Sequence, residues 1–228
     1  MYGTHAGLSS VVMSEAPFAL FSVWGLSAFF RAITSEAPGL AGLLESAAVL
    51  AIAGGFRQEA WQLTGILALY LLWRPRTRRY AVPFAMLGLN TFALWDLLNA
   101  LDGGGWFNAL LSVGRSKSHE VIYRHFDAVA NLFIWVWIFV RSPGLVISTL
   151  ASTGLLLALR HRLRGDLALI AILLVGPYVI LSVIRPQWRP QQRYTLLFVI
   201  LLLPYAAAAT RTMIRPPYGT MPVVAGIY

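Results

Sequence analysis

Arg185-Pro-Gln-Trp-Arg189-Pro-Gln-Gln-Arg193-Tyr194 stands between two apolar runs, 167–184 and 194–210, that carry no charged residue. This contrast decides the fold. Arginine and proline at this density cannot continue a helix through hydrocarbon, whereas the flanking runs are suited to it. The decapeptide therefore reads as a link at a bilayer surface. Guanidinium groups placed so close repel one another unless an anion shares them, and they match phosphate oxygens in a two-pronged geometry. The expectation is an anion site at a membrane face.

The same alternation continues outward. The chain of 228 residues is 58% hydrophobic and 12% charged, with mean hydropathy +0.67. Soluble domains average about a quarter charged residues, so the composition indicates an all-α, polytopic transmembrane protein. Continuous rather than alternating apolar runs select helices over a barrel. The absence of cysteine excludes disulfides, thiol catalysis and cysteine metal sites. The net charge is +9, almost entirely from arginine, with Lys117 the single lysine. These arginines are scattered among helix ends rather than gathered on one soluble face, so nucleic acid is not expected as a partner.

About seven spans are expected, at 17–33, 40–56, 61–73, 80–98, 145–159, 167–184 and 194–210. Together they form a single transmembrane domain over 1–228. Ser14-Glu15-Ala16-Pro17 has the marks of a helix start: a serine cap, an acid at the positive dipole end and proline in the first turn. Asp102-Gly-Gly-Gly105 opens an outer loop over 102–143. Within it, 128–140 is aromatic and short and follows a charged stretch, which suits a helix lying at the interface. If that segment does not cross, Arg31, 74–79, 160–164 and 211–215 share the cytoplasmic side by the positive-inside rule. Glu15, Arg57, Glu59, 102–127 and 185–193 then share the outer face.

That outer set combines carboxylates with arginines, as transfer of a group from a phosphate-linked donor requires. A carboxylate takes the acceptor's proton, and arginines hold the phosphate and the leaving charge. Plainer readings stand beside this one. Glu15 can be a dipole partner at a helix start, Arg57 and Glu59 can simply pair, and Arg193 can anchor to headgroups. Asn90 and Asp96 read as polar packing. His119 and His125, six residues apart, do not share a helix face, and no metal site is expected.

Several segments, in order along most of the chain, resemble motifs of the polytopic type-C glycosyltransferases. They are Met13-Ser-Glu-Ala-Pro-Phe-Ala-Leu-Phe, Ala53-Gly-Gly-Phe-Arg57-Gln-Glu59-Ala-Trp61, the basic loop 74–79, 98–107, and Arg193-Tyr194 ahead of Pro204. Members of that family, the protein O-mannosyltransferases and lipid A aminoarabinose transferases among them, move a sugar from a polyprenyl-phosphate carrier on the outer side of the membrane. The resemblance implies that Glu15 is a second acidic position of the active site and that Arg193 stands by the donor phosphate. Arg189, Arg57 and Tyr194 are further donor-phosphate candidates, and Glu59 is a further site candidate. The lipid-phosphate sugar is substrate, and no cofactor is expected. The partners are membrane lipid, the carrier-linked sugar and a protein, lipid or glycan acceptor, at a bacterial or archaeal inner membrane. The family's principal acid lies in a first outer loop that no residue of this sequence supplies, so the chain is expected to be the carboxy-terminal part of such an enzyme. A transporter or flippase of an anionic lipid, drawing on Glu45 and Asp96 as deep acids, and a non-catalytic scaffold are the alternatives.

Overall fold

The structure, a computed structural model, describes residues 3–35, 39–101, 128–141, 143–160, 166–184 and 195–214. It is all-helical, with no strand among the described residues. Two compact units make up the chain, Met1–Ser116 and Lys117–Tyr228.

In the first unit, α1 (Gly3–Thr34), α2 (Leu40–Phe56) and α3 (Glu59–Trp73) are followed by a 3-10 turn, Arg78–Tyr80, then α4 (Ala81–Gly88) and α5 (Asn90–Asn99). The expected helix start at Ser14 is corrected: α1 begins at Gly3 and runs through Glu15, with Pro17 in its interior. Proline removes one helical hydrogen bond, a cost that packing against neighbouring helices can offset. Glu15 is therefore a mid-helix side chain and not a partner for a helix terminus.

The first two helices run antiparallel and pack closely because small residues face one another. A Cβ on Gly25 would come within 2.7 Å of Leu50 Cγ, and one on Gly42 within 3.0 Å of Ala32 Cβ. Between these points the buried Ser46 hydroxyl donates to the Gly25 carbonyl at 2.7 Å, satisfying a polar group that hydrocarbon would leave unpaired. Phe29, fully buried, meets Tyr70 of α3 at 6.0 Å and Phe84 of α4 at 5.5 Å between ring centroids. This apolar centre fixes the polarity of the unit. The Glu15 end of α1 lies by Phe56, where Phe21 and Phe56 stack at 5.9 Å; the Arg31 end lies by the start of α2 and the end of α3.

The second unit holds α6 (Ala128–Arg141), α7 (Leu145–Arg160), α8 (Asp166–Ile184) and α9 (Leu196–Ile214). Gly144, at φ +80°, takes the left-handed turn between α6 and α7, a conformation that costs a residue with a Cβ about 1–2 kcal/mol. The two helices bend by 94° there. Ala151, Gly154 and Ala158 put small residues on one face of α7, and a Cβ on Gly154 would overlap the Tyr205 carbonyl of α9. Tyr205 in turn accepts the Ala168 backbone N–H at 3.2 Å, capping the first turn of α8.

Residues 14–34 and 166–184 form helices long and apolar enough to cross a membrane. Two bent pairs, Arg78–Gly88 with Asn90–Asn99 (43°) and Ala128–Arg141 with Leu145–Ala158, raise the number to four if each counts as one span. The expected spans 40–56 and 61–73 form shorter helices. Helix α2 has 17 residues and α3 has 15, or about 22–26 Å at 1.5 Å per residue against a hydrocarbon core of about 30 Å.

Candidate functional site

The first unit gathers three of the expected site residues. The second of two glycines, Gly55, and then Phe56 end α2, and Arg57 takes an extended conformation (φ −151°, ψ 141°) before Gln58 turns the chain into α3. A one-residue corner of this kind places Glu59 in the first turn of α3, where the helix dipole favours its charge. It also brings the Arg57 guanidinium alongside. Arg57 Nη2 donates to Glu59 Oε1 at 2.7 Å and Nε to Oε2 at 3.2 Å, a two-pronged pair. The remaining arm, Nη1, donates to Glu15 Oε1 at 3.1 Å, across 42 residues of sequence.

Burial divides the roles. The Arg57 and Glu59 side chains are each 9% exposed, whereas Glu15 is 47% exposed. Phe18, fully buried, lies under the guanidinium at 5.5 Å from ring centroid to Cζ. Burial works against the Arg57 charge. The hydrogen bond and charge of Glu59, with those of Glu15, outweigh it and raise the Arg57 pKa above its ordinary value. Two carboxylates around one guanidinium leave a net charge of −1, carried toward solvent by Glu15. Phe18 was not singled out from sequence, although its signal was present: it stands three positions after Glu15, on the same helix face.

An aromatic layer flanks the corner. Trp61, in the first turn of α3, packs on Phe92 and Trp95 of α5 at 5.2 and 5.4 Å. Its indole N–H donates to Thr91 Oγ1 at 3.3 Å, and Thr91 donates to the Ala51 carbonyl at 3.1 Å. A Cβ on Gly54 would meet both Trp61 and Thr91, so only glycine there lets the corner close. Asp96, expected as polar packing, is buried on α5.

Glu45 is half-exposed rather than deep. It accepts the Trp24 indole N–H at 3.2 Å and pairs with Arg31 at 3.8 Å. Arg189, Arg193 and Tyr194 lie outside the described residues, as do 102–127 with His119 and His125. Among the described residues no group of three or more His, Cys, Asp or Glu side chains could hold a metal ion.

In the second unit buried polar side chains join α6 to α8. Asn131 Nδ2 donates to the Ser182 carbonyl and Trp135 Nε1 to Ser182 Oγ, both at 2.8 Å, and both side chains are buried. The outward face of α6 is apolar, with Phe133, Val136 and Trp137 exposed.

No family model matches the chain, and no curated protein or solved structure matches it.

Proposed function

We propose that this helical membrane protein takes part in transfer of a sugar from a polyprenyl-phosphate donor to a protein, lipid or glycan acceptor at the extracytoplasmic face of a bacterial or archaeal membrane. In this reading the shorter apolar helices complete an arrangement of about seven spans, with α6 at the interface. The observation that carries it is the Glu15–Arg57–Glu59 cluster: a carboxylate kept half in solvent and fixed by an arginine whose other arm is held by a buried acid. Such a carboxylate is preorganised to orient an acceptor hydroxyl and take its proton as the hydroxyl oxygen bonds to the anomeric carbon. The bond from that carbon to the phosphate oxygen breaks, and the carrier phosphate leaves with the electron pair. Arg193, with Arg189 and Tyr194, is proposed to hold that phosphate. Arg57 serves Glu15 rather than the phosphate, because Glu59 and Glu15 occupy three of its donor positions.

The test is binding and transfer of a labelled polyprenyl-phosphate sugar by the protein in lipid nanodiscs. Arg193→Ala is expected to weaken donor binding at least tenfold with unchanged thermal stability. Glu15→Gln is expected to spare donor binding and lower transfer by about 10²–10⁴-fold, the range for a lost general base. Wild-type binding and transfer in both variants would reject the reading.

A further inference from the structure

The corner between α3 and α4 is built differently from the Arg57 corner. Arg74-Pro-Arg-Thr-Arg-Arg79 places four arginines within six residues, yet the loop is tightly ordered. Thr77 is almost fully buried, and its hydroxyl donates to the Leu71 carbonyl at 3.2 Å. The Thr77 and Arg78 N–H groups both bond the Arg74 carbonyl, at 3.0 and 2.9 Å, and the Tyr80 N–H bonds the Thr77 carbonyl at 2.9 Å. Arg74 lies over the Tyr70 ring at 4.5 Å and Arg79 over the Tyr80 ring at 4.7 Å, contacts that hold the guanidiniums in place.

Among the described residues, the ion pairs are Arg31–Glu45, Arg57–Glu15 and Arg57–Glu59. None includes Arg76, Arg78 or Arg79, and all three are exposed. Three cations with no acid paired to them among the described residues repel one another on this hydrogen-bonded loop, a cost that a bound anion offsets. The surface beside them is apolar. Trp73 is 81% exposed at the end of α3, after Leu69 and Leu72, and Val82 and Met86 are exposed on α4. Cations bordered by a tryptophan and then by outward aliphatic side chains on both adjoining helices complement one kind of molecule, an amphiphile with an anionic head and hydrocarbon tails.

We propose that this loop is a binding site for an anionic glycerophospholipid, with Arg76, Arg78 and Arg79 around the phosphate and Trp73, Val82 and Met86 against the glycerol and acyl chains. The site does not depend on the sugar-transfer reading.

The experiment is native mass spectrometry of the full chain in detergent. It is titrated with phosphatidylglycerol and, separately, with phosphatidylcholine of the same acyl chains. Phosphatidylglycerol is expected to bind more tightly. Each arginine near such a phosphate contributes about fivefold, so Arg76→Gln/Arg78→Gln/Arg79→Gln together lower the affinity by about 100-fold. Should the triple variant not fold, the three single variants carry the test at about fivefold each. Arg31→Gln, at the same end of the unit but outside the loop, is expected to leave the affinity unchanged. Glycerol phosphate, which has the anion without the tails, is expected not to displace the lipid. Equal affinity for the two lipids, unchanged affinity in the loop variants, an equal loss in Arg31→Gln, or displacement by glycerol phosphate would each overturn the proposal.

Discussion

Replacing Arg57 by methionine tests whether the cluster is one electrostatic unit. The substitution keeps most of the side-chain length over Phe18 and removes the charge. Its cost comes almost wholly from Glu59, which at 9% exposure is left as a buried carboxylate without a counter-charge. Removing one partner of a buried pair costs about 3–5 kcal/mol. Glu15, at 47% exposure, turns to solvent and adds no more than about 1 kcal/mol. For a chain of this size the sum corresponds to a fall of roughly 10 °C in Tm. The double variant Arg57→Met/Glu59→Leu removes both buried charges, and apolar replacement of a whole buried pair is close to neutral. It is expected to recover wild-type stability to within about 1 kcal/mol. Thermal unfolding in one detergent, followed by near-ultraviolet circular dichroism, compares the three proteins. A double variant as unstable as Arg57→Met, or a single variant as stable as wild type, would refute the claim that an unpaired Glu59 sets the cost.

The remaining predictions use the same unfolding assay unless stated otherwise. Glu15→Gln is expected to change stability by less than about 1 kcal/mol, because a half-exposed ion pair is largely screened; a larger loss would make Glu15 a structural residue. Gly154→Ala forces a methyl group into the Tyr205 carbonyl and is expected to cost at least 1–3 kcal/mol, as overpacking does. Gly65→Ala, where nothing lies within 4 Å, is expected to be neutral or stabilising by up to about 1 kcal/mol, and equal effects at the two glycines would contradict the close approach of α7 and α9. The raised Arg57 pKa means its contribution is complete at any pH below the ordinary arginine value and is lost only as pH rises through the raised one. Tm is therefore expected to show no step from Arg57 between neutral and mildly alkaline pH, and a step there that Arg57→Met abolishes would contradict the assignment.

The apolar helices were legible because lipid-suited segments declare themselves by composition: 40–56 has the same bounds in sequence and structure, and 167–184 differs from α8 by one residue. The start of α1 was not legible. Ser14, Glu15 and Pro17 all signal a helix start locally, a preference worth about 1 kcal/mol, and α1 runs past it. The expected span 80–98 is two helices because the backbone breaks at Leu89, beside Gly88, whose Cα side is closed by Thr64 and Ala47. Neither neighbour is visible from the local sequence. The site followed the same division. Arg57 and Glu59 were readable as a pair because they are two residues apart, but the bond to Glu15 depends on how α1 packs against α2. Glu45 read as deep because it sits in an apolar run; only the packing reveals that Trp24 and Arg31 meet it at the surface.

The partition of charge in the first unit carries a consequence for orientation. Arg57, paired with Glu15 and Glu59, leaves that cluster with a net charge of −1. The opposite end carries Arg31 and the arginines of 74–79, offset among the described residues by Glu45. The 15 residues of α3 separate the two ends by about 22 Å. If the unit sits in a bilayer, this asymmetry sends the arginine loop to the cytoplasm and the Glu15 cluster to the other side. The chain has no cysteine, so single cysteines at Gln58 and at Arg76 report without background. In intact cells a membrane-impermeant maleimide is expected to label Gln58→Cys and not Arg76→Cys, with the pattern reversed in inside-out vesicles. Labelling of both from the same side would mean that α3 does not cross, and with that the separation of a phosphate-binding loop from an acid-bearing face would lose its physical basis.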